Sequence, residues 1–154
     1  MKEVVEILRK KGMTISTMES CTGGFISNEI TNIEGASDVL KFSAVTYCNE
    51  FKIKMGVDAE VIDKYSVYSI ETAREMAKNI SKFTKSDLGV GITGKLNRID
   101  KNNLSGADNR VFVSIYRKDM DDYSDFYIDV KEGSRKANKE IVEKEVVERI
   151  IELL

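Results

Sequence analysis

The chain has 154 residues, with 24 Lys and Arg against 26 Asp and Glu, a formal net charge of −2, 42% hydrophobic residues and 32% charged ones. That length suits one domain able to bury an ordinary core, and the near-neutral charge lacks the basic footprint of a general nucleic-acid binder. The sequence contains no His. Ser-His and Cys-His triads and imidazole zinc sites are therefore excluded, and acid–base work falls to Lys, Tyr or carboxylates.

Val4, Val5, Ile7 and Leu8 recur at helical spacing up to Gly12, which predicts a helix over residues 2–11. Residues 14–18 are rich in β-branched side chains and read as a strand, followed by a turn from Glu19 to Gly24. Phe25, Ile26, Ile30 and Ile33 predict a helix over 23–33, and Gly35-Ala36-Ser37 ends it. A strand over 42–48 leads into short helical pieces at 49–55 and 58–65, on either side of Gly56. A stronger helix runs over 70–83, with Ser69 as N-cap and Ala73, Met76, Ala77 and Ile80 on one face. Leu88 to Ile92 is a small or apolar run, as in a strand buried on both faces. Residues 94–110 form a long, polar, Asn-rich loop. Strands at 111–116 and 123–130 flank a turn at 119–122, and a long helix over 134–154 closes the chain. The order predicts an α/β fold, a three-layer α/β/α sandwich on a mixed β-sheet, as a single domain over 1–154.

Cys21 and Cys48 are too few for a disulfide scaffold and lack metal-ligand spacing. Charges interrupt the first apolar residues, so no secretory signal is read, and no apolar run approaches the roughly 20 residues that span a bilayer. The expectation is a reduced, cytoplasmic domain with no membrane partner. Asp119, Asp121 and Asp122 lack the Gly and Glu of a calcium loop and read as a solvated turn.

Three stretches depart from what a core needs. In Glu19-Ser20-Cys21-Thr22-Gly23-Gly24, small residues between strand and helix would let backbone amides approach an anion, or form an oxyanion hole for attack by Ser20. Cys21 is a second candidate nucleophile if the helix start lowers its pKa. The same residues also suit a plain cap and turn, the commoner role of Gly-Gly after a strand. In Tyr47-Cys48-Asn49-Glu50-Phe51-Lys52, a strand's carboxyl end runs into a helical turn. There a desolvated, neutral Lys52 could act as base, or could be a solvated helix lysine. Thr93, before Gly94, could bond a ligand or simply end a strand. The loop at 95–110 carries Lys95, Arg98, Lys101 and Arg110 against Asp100 and Asp108, a local excess of two positive charges.

Taken in order, Met18-Glu19-Ser20-Cys21-Thr22-Gly23-Gly24, Gly35-Ala36-Ser37, Tyr47-Cys48-Asn49-Glu50-Phe51-Lys52, Met55-Gly56-Val57, Ser69 to Ala77 and Ile92-Thr93-Gly94 resemble one family. It is the C-terminal domain of the competence/damage-inducible protein CinA, which also occurs alone as the bacterial nicotinamide mononucleotide deamidase. The resemblance implies a hydrolase that converts nicotinamide mononucleotide to nicotinate mononucleotide and ammonia. Ser20 would be its nucleophile, Lys52 its base, Tyr47 an aid to proton transfer, and Thr93 a holder of substrate or oxyanion. It further implies substrate contacts from Cys21, Thr22, Gly23, Gly24, Asn49 and Gly94, no metal or organic cofactor, and a small-molecule nucleotide as partner. A homodimer fits the self-association common in the family.

Three departures from the family pattern stand out. The usual Ile-Ala-Gly-Pro segment and further glycines give way to Lys95-Leu96-Asn97-Arg98-Ile99-Asp100, and Tyr-Gly-Ala-Val-Ser becomes Tyr65-Ser66-Val67-Tyr68-Ser69. The N-terminal domain of longer members has no counterpart here, so no activity of that domain is expected. The rewritten loop motivates an alternative, a nucleotide-binding or regulatory module that keeps the pocket without turnover. A third possibility, a structural or partner-binding domain, rests on the apolar stripe of the last helix.

Overall fold

A computed structural model describes residues 1–131 and 133–154. The described strands are β1 (Ile15–Glu19), β2 (Leu40–Val45), β3 (Leu88–Gly94), β4 (Arg110–Arg117) and β5 (Asp122–Asp129). The helices are α1 (Lys2–Lys11), α2 (Phe25–Thr31), α3 (Asn49–Lys54), α4 (Ala59–Tyr65), α5 (Ile70–Thr84) and α6 (Arg135–Leu153). They build the expected mixed sheet, in the order β2-β1-β3-β4-β5. β2, β1 and β3 are parallel, while β4 and β5 join them as an antiparallel hairpin.

Alternation along the central strands decides which helices cover which face. Ile15, Leu88, Val90 and Ile92 point into one core with Val4, Val5 and Leu8 of α1, Ile26 and Ile30 of α2, and Val142, Val146 and Ile150 of α6. Met18 points the other way, into a second core with Val57, Ile62, Met76 and Ile80. The intervening residues of β3 are Gly89 and Gly91. A Cβ on either would sit 2.0 Å from the Ala77 carbonyl oxygen or 2.2 Å from that of Ala73. α5 thus lies directly on the β3 backbone, and its Ala73–Ala77 stripe is what permits so close an approach.

Most predicted boundaries hold to within two residues. α5 begins at its Ser69 cap, whose hydroxyl accepts from the Thr72 amide at 3.1 Å. The helix expected over 23–33 is shorter, Phe25–Thr31, because Gly23 and Gly24 both take positive φ (63° and 88°) and keep the chain turning. β2 starts at Leu40 and ends at Val45, before the stretch read as its second half. Among the described residues, no helix is long and apolar enough to cross a membrane. Asp119 and Asp121 in the hairpin turn are engaged by Arg117 and Lys78.

Candidate active site

The chain leaves β1 through α2 on one face to reach β2, then returns through α3, α4 and α5 to β3. Connections that diverge from neighbouring parallel strands open a crevice at the strands' carboxyl ends. Ser20 follows β1, Lys95 follows β3, and Thr46 to Asn49 follow β2, so three segments converge there. Ser20, Cys21, Tyr47, Asn49, Lys52 and Gly94 line a cavity of about 600 Å³ at this point.

Glu19 shapes the turn that carries Ser20. Its carboxylate is fully buried and accepts from the amides of Gly24 (3.1 Å), Ile26 (3.2 Å) and Ser27 (3.0 Å) and from the Thr17 hydroxyl (3.2 Å). A buried carboxylate is tolerated when donors satisfy it in this way, and here it caps α2 from within. This corrects the expectation that the start of α2 offers its amides to an anion, because Glu19 already occupies them. The Gly23 amide donates to the Ser20 carbonyl at 3.0 Å. The Cys21 amide faces its own thiol, among the described residues nothing accepts from the Thr22 amide, and Cys21 lines the cavity.

Lys52 is the only buried residue of α3 and is 1% exposed. Its amine lies 3.0 Å from Ser20 Oγ and 2.7 Å from the Thr46 carbonyl oxygen. Burial, opposed more weakly by the nearby Cys21 and Cys48, lowers its pKa from 10.5 to about 8. The Cys21 thiol moves the other way. Burial first, and the Glu19 charge second, push it up to about 12, so it stays protonated and cannot compete as a thiolate nucleophile.

The CinA C-terminal domain profile matches residues 1–154. The chain belongs to the CinA C-terminal domain family. A competence-damage inducible protein of Caldicellulosiruptor saccharolyticus is 33% identical over 150 residues, which is 94% of this chain and 36% of that protein. One from Caldanaerobacter subterraneus is 47% identical over 92 residues, 59% of this chain and 22% of that protein. The chain thus spans about a fifth to a third of the length of these relatives. Solved structures share the fold. A competence/damage inducible protein of Agrobacterium tumefaciens superposes with TM-score 0.87 at 24% identity, covering 98% of this chain and 91% of its own. A CinA superfamily protein of Escherichia coli gives 0.88 at 19% identity, covering 99% and 87%.

Within this CinA domain the other candidates fall in different places. Tyr47 is 65% exposed on the cavity rim, and its hydroxyl accepts from Arg135 at 3.3 Å; among the described residues it has no bond to Ser20 or Lys52. Thr93 is fully buried, does not line the cavity, and donates to the Val67 carbonyl at 2.8 Å. It thereby fixes the Val67–Tyr68 wall. Thr22 is buried with no hydrogen-bond partner for its hydroxyl among the described residues, while Gly23 and Gly24 shape the turn behind Ser20. Gly94 has no room for a side chain, since a Cβ would lie 2.4 Å from the Arg110 carbonyl oxygen.

The rewritten loop lines the cavity, and it does so with side chains. Buried Lys95 pairs with Asp108 at 3.0 Å and lies 5.2 Å above the centre of the Tyr68 ring. The Tyr68 hydroxyl donates to Asp100, which also accepts from the Asn102 amide and the Asn103 side chain. Burial, with the hydrogen bond to Asp100, pushes the Tyr68 pKa well up, so this phenol is a fixed donor. Sequence reasoning missed Glu19, Tyr68 and Arg135. Only Arg135 left a trace, as a cation just after a Ser cap in a helix whose first turn carries no acid.

Proposed function

We propose that this domain is an amidohydrolase in which Ser20 attacks a carboxamide carbon with Lys52 as base, its substrate being nicotinamide mononucleotide. The observation that carries this reading is the 3.0 Å contact between a buried lysine and the Ser20 hydroxyl. A neutral amine has two N–H groups and one lone pair. One N–H donates to the Thr46 carbonyl, and in the neutral amine the lone pair is free to take the Ser20 proton across the 3.0 Å contact.

As Ser20 Oγ bonds to the amide carbon, its proton passes to Lys52, and charge develops on the carbonyl oxygen, where the amides of the Ser20–Thr22 turn are the nearest backbone donors in sequence. The resulting ammonium returns that proton to the departing nitrogen, and ammonia leaves an acyl ester on Ser20. Water, deprotonated by Lys52, then attacks the ester. The acid is released and Ser20 regains its proton.

Ammonia release from nicotinamide mononucleotide, measured for the purified protein beside Ser20→Ala and in the presence of a chelator, tests the reading. Release that persists with chelator and disappears in the variant is expected. The side-chain-rich loop over 95–109 favours a second reading, binding without turnover. Calorimetric binding of the nucleotide by a folded protein that releases no ammonia would support it.

A further inference from the structure

The chain contains seven arginines. Five hold a carboxylate: Arg9 with Asp38, Arg74 with Asp125, Arg110 with Asp129, Arg117 with Asp119 and Arg149 with Glu152. Among the described residues, Arg98 and Arg135 hold none, and both line the cavity that contains Ser20. Among the described residues, the surface pairs its other arginines with carboxylates and leaves these two without one.

Asp100 is the one carboxylate on the described lining; it accepts from the neutral Tyr68, Asn102 and Asn103 and keeps its charge, against the cations Lys95, Arg98 and Arg135. Lys95 is paired with Asp108, which does not line the cavity. Arg135 donates only to the neutral Tyr47 hydroxyl. Among the described residues, cations therefore outnumber carboxylates on the lining of this concavity, and its two guanidiniums form no salt bridge; in such a cleft field lines focus and an anion gains most. Guanidinium forks match the oxygens of a phosphate better than a point charge does. A volume of about 600 Å³ leaves room for such a group together with an amide at Ser20, within the roughly 300–1,000 Å³ of small-molecule sites.

We infer that Arg98 and Arg135 bind the phosphate monoester of the substrate, so that the rewritten loop supplies one jaw of a clamp selecting phosphorylated amides over their unphosphorylated counterparts. The inference rests on the amidase reading for the substrate's other end. It goes beyond that reading by assigning specificity to two residues that take no part in bond making.

The test compares nicotinamide mononucleotide with nicotinamide riboside, which presents the same amide without the phosphate. In Arg98→Ala and Arg135→Ala, KM for the nucleotide should rise about tenfold to a hundredfold with kcat changed by less than about twofold. Values for the riboside should move by less than about twofold, and Arg98→Lys should recover part of the loss. Equal losses on both substrates, or none on either, overturn the inference.

Calorimetric titration in the Ser20→Ala background separates this inference from the amidase reading. Nucleotide binding that needs both arginines and the phosphate, in a wild-type protein that releases no ammonia, leaves the clamp standing and removes the amidase. Equal turnover of nucleotide and riboside, insensitive to both substitutions, does the reverse. Absence of nucleotide binding by the folded Ser20→Ala protein also overturns the clamp.

Discussion

The amine of Lys52 lies 3.0 Å from the hydroxyl of Ser20, a residue 32 positions earlier in the chain. The Thr46 carbonyl holds the same amine from another side at 2.7 Å, so its position is fixed at two points. Ser20→Ala and Lys52→Met are each expected to lower kcat for ammonia release by at least about a thousandfold. The double variant should be little worse than either single one, because the two residues act as a unit. Lys52→Arg should not rescue, since a guanidinium keeps its proton at any working pH. Retention of more than about a tenth of wild-type kcat by Lys52→Arg would remove Lys52 as the base.

The pH dependence follows from burial of that amine. With its pKa lowered to about 8, kcat/KM should climb about tenfold per pH unit below that value and level off above it. For stability, the folded state releases this proton more readily than the unfolded one, whose lysine titrates near 10.5. Between about pH 8 and 10.5 the unfolded chain binds more protons, so stability rises with pH through that window. Below pH 8 the full cost of about 3 kcal/mol remains. Urea titrations of wild type and Lys52→Met at pH 7 and pH 10 isolate the effect. Wild type should gain on the variant as pH rises, and parallel curves would exclude a depressed Lys52.

Elements governed by local pattern were legible in the sequence. Ser69 announces α5, and Ala73, Met76, Ala77 and Ile80 all lie on its buried face. The site was less legible, because its decisive feature is tertiary. Lys52 sits in a six-residue helix beside exposed Glu50, Phe51, Ile53 and Lys54, and nothing local distinguishes it from a solvated lysine. The lack of His and its place after a strand's carboxyl end made it a candidate, and the likeness to the CinA family weighed it above a solvated lysine. Glu19 read as the edge of a turn because sequence does not reveal that a carboxylate folds inward to cap the following helix. That hidden cap is also why the expected anion site at the start of α2 does not exist. Thr93 was expected at the substrate and instead ties down Val67, a partner 26 residues away.

Cys21 should be chemically quiet. With its thiol buried and its pKa pushed up to about 12, iodoacetamide at pH 8 should modify exposed Cys48 and leave Cys21 untouched in the folded protein. Peptide mapping by mass spectrometry reads the two sites separately. Comparable labelling of both would mean that Cys21 is accessible as thiolate and would reopen it as a nucleophile.

Glu19→Gln replaces one acceptor oxygen by an amide that donates. At least one amide among Gly24, Ile26 and Ser27 then loses its acceptor inside the protein, at a cost of about 1–3 kcal/mol. The melting temperature should fall by several degrees, about 2–4 °C for each kcal/mol at this chain length. Because the same carboxylate shapes the turn behind Ser20, kcat should fall with less change in KM. Unchanged melting and unchanged kcat together would show that the cap is dispensable.

The sheet's tolerance for α5 is the narrowest feature of the fold. In Gly91→Ala the new methyl would lie 2.2 Å from the Ala73 carbonyl oxygen and 2.6 Å from the Ala77 amide nitrogen. In Gly89→Ala it would lie 2.0 Å from the Ala77 carbonyl oxygen. These are backbone atoms of a packed helix and cannot rotate away, so each substitution should cost about 3 kcal/mol or more, or prevent folding. Gly133→Ala, with nothing within 4 Å, should stay within about 1 kcal/mol of wild type in urea unfolding. Removing the nearest side chain in Gly89→Ala/Ser81→Gly should not restore stability, because the obstacle is the Ala77 carbonyl oxygen. Recovery in that double variant would move the clash to side chains and place α5 farther from β3 than the backbone contact requires.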